Sequence, residues 1–315
     1  MSDVVRESNL NFDKVNDIKR QLILEIESIL DKLFIMHRTF GRAKSQNSLL
    51  KKLKSKNYTP RVKMVEDIVG IRITLYFSDD IDIDIVCDLL KKEFNCREAS
   101  TSQDSHGSNT FEAKKNNHVF EIPSGILGSD RSLDDKNICD STFEVQLRTI
   151  LSEGWHEVEH DFRYKNKDHW ESLPTFDRQL NGLLATLETA DWGMLQLFNE
   201  LAFNNYKKKQ WNEMIKHKFR IRFDSMELSP EIVDLMNNNI EFSKRVYRFS
   251  RYELLSFIYA TKLNLPLNLN NIIFIINELD FKLKNQDVRD LALSKYKFVH
   301  SKIIEAIKES EKSPV

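Results

Sequence analysis

Two short segments with strand-like patterns stand out in a chain that otherwise has helical periodicity. Residues 142–148 alternate apolar and polar side chains with the two-residue period of a strand. The apolar set is Phe143, Val145 and Leu147, and the polar set is Glu144, Gln146 and Arg148. Residues 68–77 are rich in β-branched and aromatic residues, which also favours a strand. Residues 82–94 return to helical spacing, so strand and helix alternate, and this predicts an α/β (α+β) fold with a β-sheet flanked by helices.

The rest of the chain is mostly helical by pattern. Residues 13–34 repeat apolar side chains at three- and four-residue steps, and residues 45–54 form a second predicted helix. A further strand is expected at 118–122, with loops at 95–108 and 124–140. After Thr149 the pattern is helical, with breaks near Pro174, Pro230 and Pro266. We therefore predict an α/β domain over residues 1–172 and an appended all-α region over residues 173–315.

Composition limits the classes of protein to consider. The 47 lysine and arginine residues nearly balance the 48 aspartate and glutamate residues, so bulk charge does not indicate a nucleic acid or a membrane as partner. The three cysteines are not in CxxC spacing, and residues 1–10 lack the layout of a signal peptide. The longest apolar run, Ile272–Ile276, is far shorter than the roughly 20 residues that cross a bilayer. We expect a cytoplasmic protein without a membrane span.

Polar side chains on the two strands form a candidate site. Asp67 stands at the entrance to the first strand and Arg72 lies on it, while Glu144 and Arg148 lie on the other. If the strands are neighbours, two carboxylates and two arginines converge, which suits a metal ion and a triphosphate. The pattern alone also fits a solvent-facing half of a strand and a turn aspartate.

A basic cluster precedes the first strand, where a loop is expected to give way to a helix. It consists of Arg42, Lys44, Ser48 and Lys52. Ser48 and Lys52 are one helical turn apart, so they can share a face. The cluster can clamp phosphates, or it can be a solvated basic face.

Four segments, in this order, resemble motifs of the RelA/SpoT-type alarmone synthetases. Residues 41–53 resemble the ATP-binding stretch G-R-x-K-S-x-x-S-x-x-x-K-L, and residues 66–73 resemble the D-I-A-G-I-R strand. Residues 143–149 are similar to the strand E-I-Q-I-R-T, and residues 155–165 are similar to the helix W…E-H…Y-K. The resemblance covers roughly residues 10 to 170 and implies a nucleotidyltransferase-type mixed β-sheet.

The resemblance also implies an activity and its residues. The family transfers the β,γ-pyrophosphate of ATP to the ribose 3′-hydroxyl of GDP or GTP and makes a (p)ppGpp-type alarmone. Asp67 and Glu144 would bind Mg²⁺, and Glu144 would assist deprotonation of the hydroxyl. The expected contacts to ATP, the pyrophosphate donor, are Arg42, Lys44, Ser48, Lys52 and Arg72.

The acceptor side departs from the family pattern. Synthetases carry G-Y-x-S-x-H before the second strand, with a tyrosine that stacks on guanine, whereas this chain has no tyrosine between Phe77 and Asp161. Substitute acceptor contacts would come from Phe111, Lys114, Lys115, Gln146 and Arg148. Two acceptors therefore stay open: a guanosine nucleotide, or the 3′ end of a transfer RNA as in toxic members of the family.

Two other functions fit parts of the sequence. Residues 156–160 fit H-E-x-x-H, the zinc-protease signature, but no third ligand is evident. The apolar spacing of Leu151, Trp155, Val158 and Phe162 predicts that this side of the helix is buried. A catalytically silent nucleotide- or RNA-binding regulator is the other alternative, which the intact Arg42, Lys44, Asp67 and Glu144 set disfavours.

The C-terminal region has no recognisable catalytic motif. A basic run, interleaved with Trp211 and Phe219, either binds RNA or is a solvated helix face. It consists of Lys207, Lys208, Lys209, Lys216, Lys218, Arg220 and Arg222. A sensor, an autoinhibitory module and a homo-oligomerisation surface are the roles left open for this region.

Overall fold

The computed structural model describes residues 10–55, 64–100, 102–103, 116–128, 133, 138–223, 227–280 and 285–312. The chain divides into two compact units. Unit 1 comprises residues 1–28, 37–78 and 86–191, and unit 2 comprises residues 29–36, 79–85 and 192–315. The division falls at 191/192, inside a long helix, whereas the sequence placed the start of the appended region at 173. The predicted division into domains at residues 1–172 and 173–315 therefore stays a prediction.

Unit 1 is built on a five-stranded mixed sheet with the strand order β1-β2-β5-β4-β3. Its strands are β1 (His37–Ala43), β2 (Val69–Leu75), β3 (Ser102–Gln103), β4 (Asn116–Glu121) and β5 (Thr142–Thr149). Strands β2 and β5 are parallel, and the other neighbours are antiparallel. The parallel register sets Gly70 opposite Glu144 and Arg72 opposite Gln146. The condition for a shared site, that these two strands are neighbours, is thus met.

The helices that contribute to unit 1 are α1 (Phe12–Asp31), α2 (Gln46–Ser55), α3 (Asp80–Glu93), α4 (Ser124–Leu127), α5 (Ile150–Phe162), α6 (Lys167–Trp170) and α7 (Pro174–Lys207). Single turns of 3₁₀-helix cover Glu98–Ser100 and Tyr164–Asn166. Helices α1, α2 and α3 confirm the sequence prediction within a few residues, and so do strands β2, β4 and β5. Strand β1 was not predicted, because residues 42–44 were expected in a loop.

The two faces of the sheet differ as the alternating pattern predicted. Phe143, Val145 and Leu147 are buried on one face, where Phe143 packs edge-on against Phe94 with ring centroids 5.3 Å apart and stacks on Phe120 at 5.6 Å. The opposite face of β5 carries Glu144, Gln146 and Arg148, and side chains of α5 contact it. The sheet therefore packs on the apolar core with one face and presents polar side chains on the other.

Gly41 lets strand β1 approach helix α1 closely. A Cβ atom at this position would lie 2.5 Å from Cδ1 of Ile23 and 2.9 Å from Cγ of Lys19. A larger residue would require these two side chains to move. Arg42, the next residue along β1, directly follows this close approach.

Helix α5 begins directly after β5 with a side-chain cap. The hydroxyl of Thr149 accepts a hydrogen bond from the backbone N–H of Ser152, and the Ser152 hydroxyl accepts one from the backbone N–H of Thr149. The sequence prediction for the buried side of α5 was wrong in part. Trp155 is buried and donates a hydrogen bond to the carbonyl of Leu180, but Val158 and Phe162 are 51% and 67% exposed. The packed side of α5 is centred on Trp155.

Unit 2 is helical apart from short connections. After the end of α7, its helices are α8 (Trp211–Phe219), α9 (Pro230–Asn238), α10 (Ile240–Arg248), α11 (Arg251–Thr261), α12 (Leu269–Leu279), α13 (Gln286–Lys295) and α14 (Lys297–Lys312). Helix α12 is buried along nearly its whole length, and the side chain of Asn268 caps its first turn. Pro174 and Pro230 are the first residues of their helices, as expected where proline cannot continue a helix interior.

Four charged side chains form a buried cluster in unit 2. Arg251 is 4% exposed, contacts Asp82 at 2.5 Å and Asp79 at 3.3 Å, and donates a hydrogen bond to the carbonyl of Phe219. Arg220 contacts the same carboxylate of Asp79 at 2.8 Å. Burial raises the pKa of Asp82, although Arg251 opposes this effect. The cluster ties residues 79–82 to helices α8 and α11.

The sequence predicts no membrane span. Within the described parts of the chain, no helix is both long enough and apolar enough to cross a bilayer.

Candidate active site

Asp67 lies just before β2, where two lysines contact its carboxylate. The ammonium group of Lys52 is 2.7 Å from Oδ1, and that of Lys44 is 3.2 Å from Oδ2. Burial acts to raise the pKa of Asp67, but the two ammonium groups outweigh it and hold the pKa below its usual range. Asp67 is therefore ionised at neutral pH, with one lysine from the end of β1 and one from α2.

Glu144 lies on β5, and both of its carboxylate oxygens accept amide hydrogen bonds. Asn117 on β4 donates to Oε1 at 3.0 Å, and Gln146 donates to Oε2 at 2.8 Å. Burial raises the pKa of Glu144, and the negative charge of Asp67 adds to the rise. The two carboxylates are thus electrostatically coupled, and a cation between them would be favourable.

Arg72 on β2 is linked to three side chains in this structure. It donates to Oε1 of Glu153 at 2.9 Å and to Oε1 of Gln146 at 3.3 Å, and it also forms an ion pair with Glu157. Glu153 is 13% exposed and reaches Arg148 with its other oxygen at 3.5 Å. One carboxylate of α5 therefore holds arginines from both parallel strands.

These groups line a cavity of about 210 Å³. Its lining residues are Arg42, Lys44, Asp67, Gly70, Arg72, Glu144, Gln146, Arg148, His156, Glu159 and His160. A second cavity, of about 570 Å³, shares Arg42 and Arg72 with the first and is also lined by residues of β1 and α5. The two arginines thus form a common wall, and guanidinium planes in such a wall can stack on a nucleotide base or bind phosphate.

The sequence placed His156 in an H-E-x-x-H pattern and did not assign it to this cavity. Burial lowers the pKa of His156 to about 3, and the positive charges of Arg148 and Arg72 contribute. The ring is therefore a neutral imidazole at physiological pH. The signal that could have found it is the helical spacing with Glu159 and His160, which both lie in a recognised motif and share this face.

The structure brings most of the predicted site residues together. Arg42, Lys44, Asp67 and Arg72 line the cavity with three residues of β5, and Lys52 contacts Asp67 from outside the lining. Ser48 lies apart from the lining, and its hydroxyl is 3.0 Å from that of Ser45. Three predicted acceptor contacts, Phe111, Lys114 and Lys115, lie outside the described residues.

The carboxylate pair suits magnesium better than zinc. Magnesium is usually bound by one or two carboxylates together with substrate phosphates. A protein zinc site needs at least three side-chain ligands, and no group of three His, Cys, Asp or Glu side chains able to hold a metal occurs in the described part of the chain. Glu157 of the H-E-x-x-H segment pairs with Arg72, and His160 contacts Asp161 at 3.0 Å. The geometry gives the protease alternative no support.

The basic run of unit 2 is largely engaged in contacts within that unit. Arg220 belongs to the buried charge cluster, and Lys218 lies over the ring of Tyr247 at 5.7 Å. Lys216 pairs with Glu213 at 2.9 Å, and Arg222 pairs with Asp31 at 3.2 Å. These contacts favour a structural role for most of the run over RNA binding.

The comparisons with known proteins agree with the motifs. Residues 41–169 match the family model described as "Region found in RelA / SpoT proteins". The matched region contains every residue named above as lining the first cavity. No curated protein matches the chain.

Similar solved structures include small alarmone synthetases. Small alarmone synthetase 1 from Bacillus subtilis is 20% identical, and the match covers 60% of this chain and 94% of that chain with a TM-score of 0.47. The same protein bound to its product pppGpp matches with 20% identity, 60% and 95% coverage, and a TM-score of 0.46. A GTP pyrophosphokinase family protein from Streptococcus pneumoniae is 19% identical, with 58% and 88% coverage and a TM-score of 0.46.

Proposed function

We propose that this protein is a magnesium-dependent pyrophosphokinase that transfers the β,γ-pyrophosphate of ATP to the ribose 3′-hydroxyl of GDP or GTP. The observation that carries the proposal is the convergence of Asp67 and Glu144 with four cationic side chains around one cavity of a RelA/SpoT-type domain. Transfer of phosphoryl groups depends mainly on positioning and charge neutralisation, which this set of residues can supply. As part of the proposal, the enzyme acts in the cytoplasm.

The cationic residues of the site bind ATP, the pyrophosphate donor. Lys44 and Lys52 already neutralise one carboxylate, so they can turn to phosphate oxygens when a cation replaces them at Asp67. Arg42 and Arg72, which form the wall between the two cavities, hold the rest of ATP. Ser48 lies outside the lining and contributes less directly.

Asp67 and Glu144 would hold the magnesium ion. When bound, the ion neutralises charge on the phosphates as the pyrophosphate moves. The chain's own contribution is to hold the acceptor hydroxyl beside Glu144. The 3′-oxygen attacks the β-phosphorus, the bond from that phosphorus to the bridging oxygen of AMP breaks, and AMP leaves. Glu144 accepts the hydroxyl proton and later releases it to solvent, while Asn117 and Gln146 keep the carboxylate in place.

The test is a transfer assay with ATP labelled at the γ-phosphate, magnesium, and GDP, GTP or transfer RNA as separate acceptors. Labelled product on GDP or GTP, with release of AMP, is expected. Asp67→Asn should abolish it, whereas Asp168→Asn, a change at an exposed position on α6, should not. Label on transfer RNA alone would contradict the proposed acceptor. ATP binding without transfer to any acceptor would instead identify a nucleotide-binding regulator.

A further inference from the structure

Most side chains that line the first cavity are paired within the protein. The pairs are Lys44 with Asp67, Gln146 with Glu144, Arg72 and Arg148 with Glu153, Glu159 with Arg163, and His160 with Asp161. In the parts of the chain that the structure describes, only Arg42 and His156 line this cavity without a hydrogen bond or an ion pair. A polar side chain that faces a cavity in this way is available to a ligand.

Of these two, His156 lies where positive charge is concentrated. Burial disfavours the protonated form of its imidazole and lowers the pKa, and the guanidinium groups of Arg148 on β5 and Arg72 on β2 add to this effect. The other ionisable groups that line the same cavity are Arg42, Lys44, Asp67, Glu144, Glu159 and His160. Among the described residues, the ring of His156 also contacts its neighbour Trp155, at 5.3 Å between centroids.

Two arginines that face one cavity are suited to phosphate oxygens, because each guanidinium can donate two hydrogen bonds in a plane. A phosphate held by Arg72 and Arg148 would lie beside the imidazole. Its negative charge would offset the field of the two arginines, so the imidazole would gain proton affinity as the phosphate binds. The protonated ring then donates a charge-assisted hydrogen bond.

We propose that Arg72, Arg148 and His156 form a phosphate subsite in which the imidazole of His156 donates a hydrogen bond to a phosphate oxygen of the bound nucleotide. The inference rests on the proposed function for the choice of a nucleotide as ligand. The phosphate belongs either to the donor ATP or to the guanosine acceptor, and the experiment separates the two sources.

Isothermal titration calorimetry at pH 6.5, in two buffers of different ionisation enthalpy, measures both affinity and proton uptake. The ligands are α,β-methylene-ATP and GDP, titrated separately with magnesium held constant. His156→Gln keeps a hydrogen-bond donor but does not titrate, so proton uptake should fall by up to one proton and affinity by about two- to tenfold. His169→Gln, at an exposed position on α6, is the matched control and should behave as the wild type.

The two ligands assign the phosphate. A change confined to the ATP analogue supports a donor-phosphate subsite, and a change confined to GDP supports an acceptor-phosphate subsite. Equal affinity and equal proton uptake in wild type and His156→Gln, for both ligands, would overturn the proposal, and so would a wild type that binds neither. His156→Asn, checked by circular dichroism, replaces the glutamine variant if that fails to fold. Normal proton uptake without transfer would contradict the proposed function and leave the subsite standing.

Discussion

Replacing Glu144 by glutamine separates the chemistry of the site from its stability. Glutamine has the shape of glutamate but carries no charge, and it cannot take up the acceptor proton. General base groups contribute about 10²- to 10⁴-fold to a rate, so kcat of Glu144→Gln should fall at least about 100-fold. Loss of a metal-binding carboxylate acts in the same direction.

The effect on folding follows from the two amide donors that meet Glu144. Asn117 and Gln146 each donate to one carboxylate oxygen, so a glutamine retains one bond and turns its NH₂ group toward the other donor. The lost bond costs about 1–3 kcal/mol. Removing the buried negative charge of Glu144 beside Asp67 stabilises the fold and offsets this cost. The stabilisation is about 1.4 kcal/mol for each unit by which the pKa of Glu144 is raised. We expect the two effects to oppose each other, so the free energy of unfolding at pH 7 should fall by less than the lost hydrogen bond alone would cost.

The offset depends on pH with a defined sign. Because burial raises the pKa of Glu144 above its ordinary value, its contribution to stability is complete below the unfolded-state pKa and is lost as pH rises through the folded-state pKa. Glutamine does not titrate, so the variant should gain stability relative to wild type as the pH rises from the unfolded-state pKa of Glu144 through its folded-state pKa. Urea unfolding across this range and the labelled-ATP assay measure the two effects. A kcat within tenfold of wild type, or a relative stability that falls with pH, would refute the assignment.

Three further substitutions test other parts of the structure. Asp67→Asn should abolish transfer, but it should increase ATP affinity in the presence of EDTA because Lys44 and Lys52 lose their opposing charge. Calorimetry measures this affinity, and weaker ATP binding by the variant would contradict the prediction. Arg251→Met should reduce the free energy of urea unfolding by about 3–5 kcal/mol because it removes the ion pair of the buried carboxylate of Asp82, whereas the exposed pair lost in Lys216→Met should cost at most about 1 kcal/mol. Thr149→Val removes a helix cap and the hydrogen bond that the Thr149 hydroxyl donates to buried Asp191, so it should lower the free energy of unfolding by at least about 1 kcal/mol, and an unchanged melting temperature would argue against both contacts.

The elements that could be predicted from the sequence are those whose pattern is local. Strand β5 shows a two-residue alternation, and helices α1 and α3 show three- and four-residue steps, so each is recognisable without its neighbours. Strand β1 has no such pattern. It is a strand because it pairs with β2 and because Gly41 accommodates Ile23 of α1, and both conditions depend on residues distant in sequence.

The candidate site was predictable to a similar extent. Asp67, Arg72 and Glu144 came from ordered motifs, and the parallel pairing of β2 with β5 brings their strands together. The exposure of Phe162 on α5, 67%, could not be predicted from the sequence. Periodicity identifies an apolar stripe on a helix, but it does not show whether another element covers that stripe. His156 was missed because the H-E-x-x-H pattern directed attention to zinc.

The ion pairs of the site suggest how nucleotide and cation binding depend on each other. Lys44 and Lys52 contact Asp67, and Arg72 contacts Glu153 and Glu157, so cationic groups that suit phosphates are held by carboxylates. A divalent cation at Asp67 would release the two lysines, and phosphates that bind those lysines would leave the carboxylate to the cation. Each ligand thereby removes a competitor of the other, so their binding free energies must be coupled by an equal amount in both directions. The paired charges of the cavity therefore suit a metal–nucleotide complex better than either ligand alone.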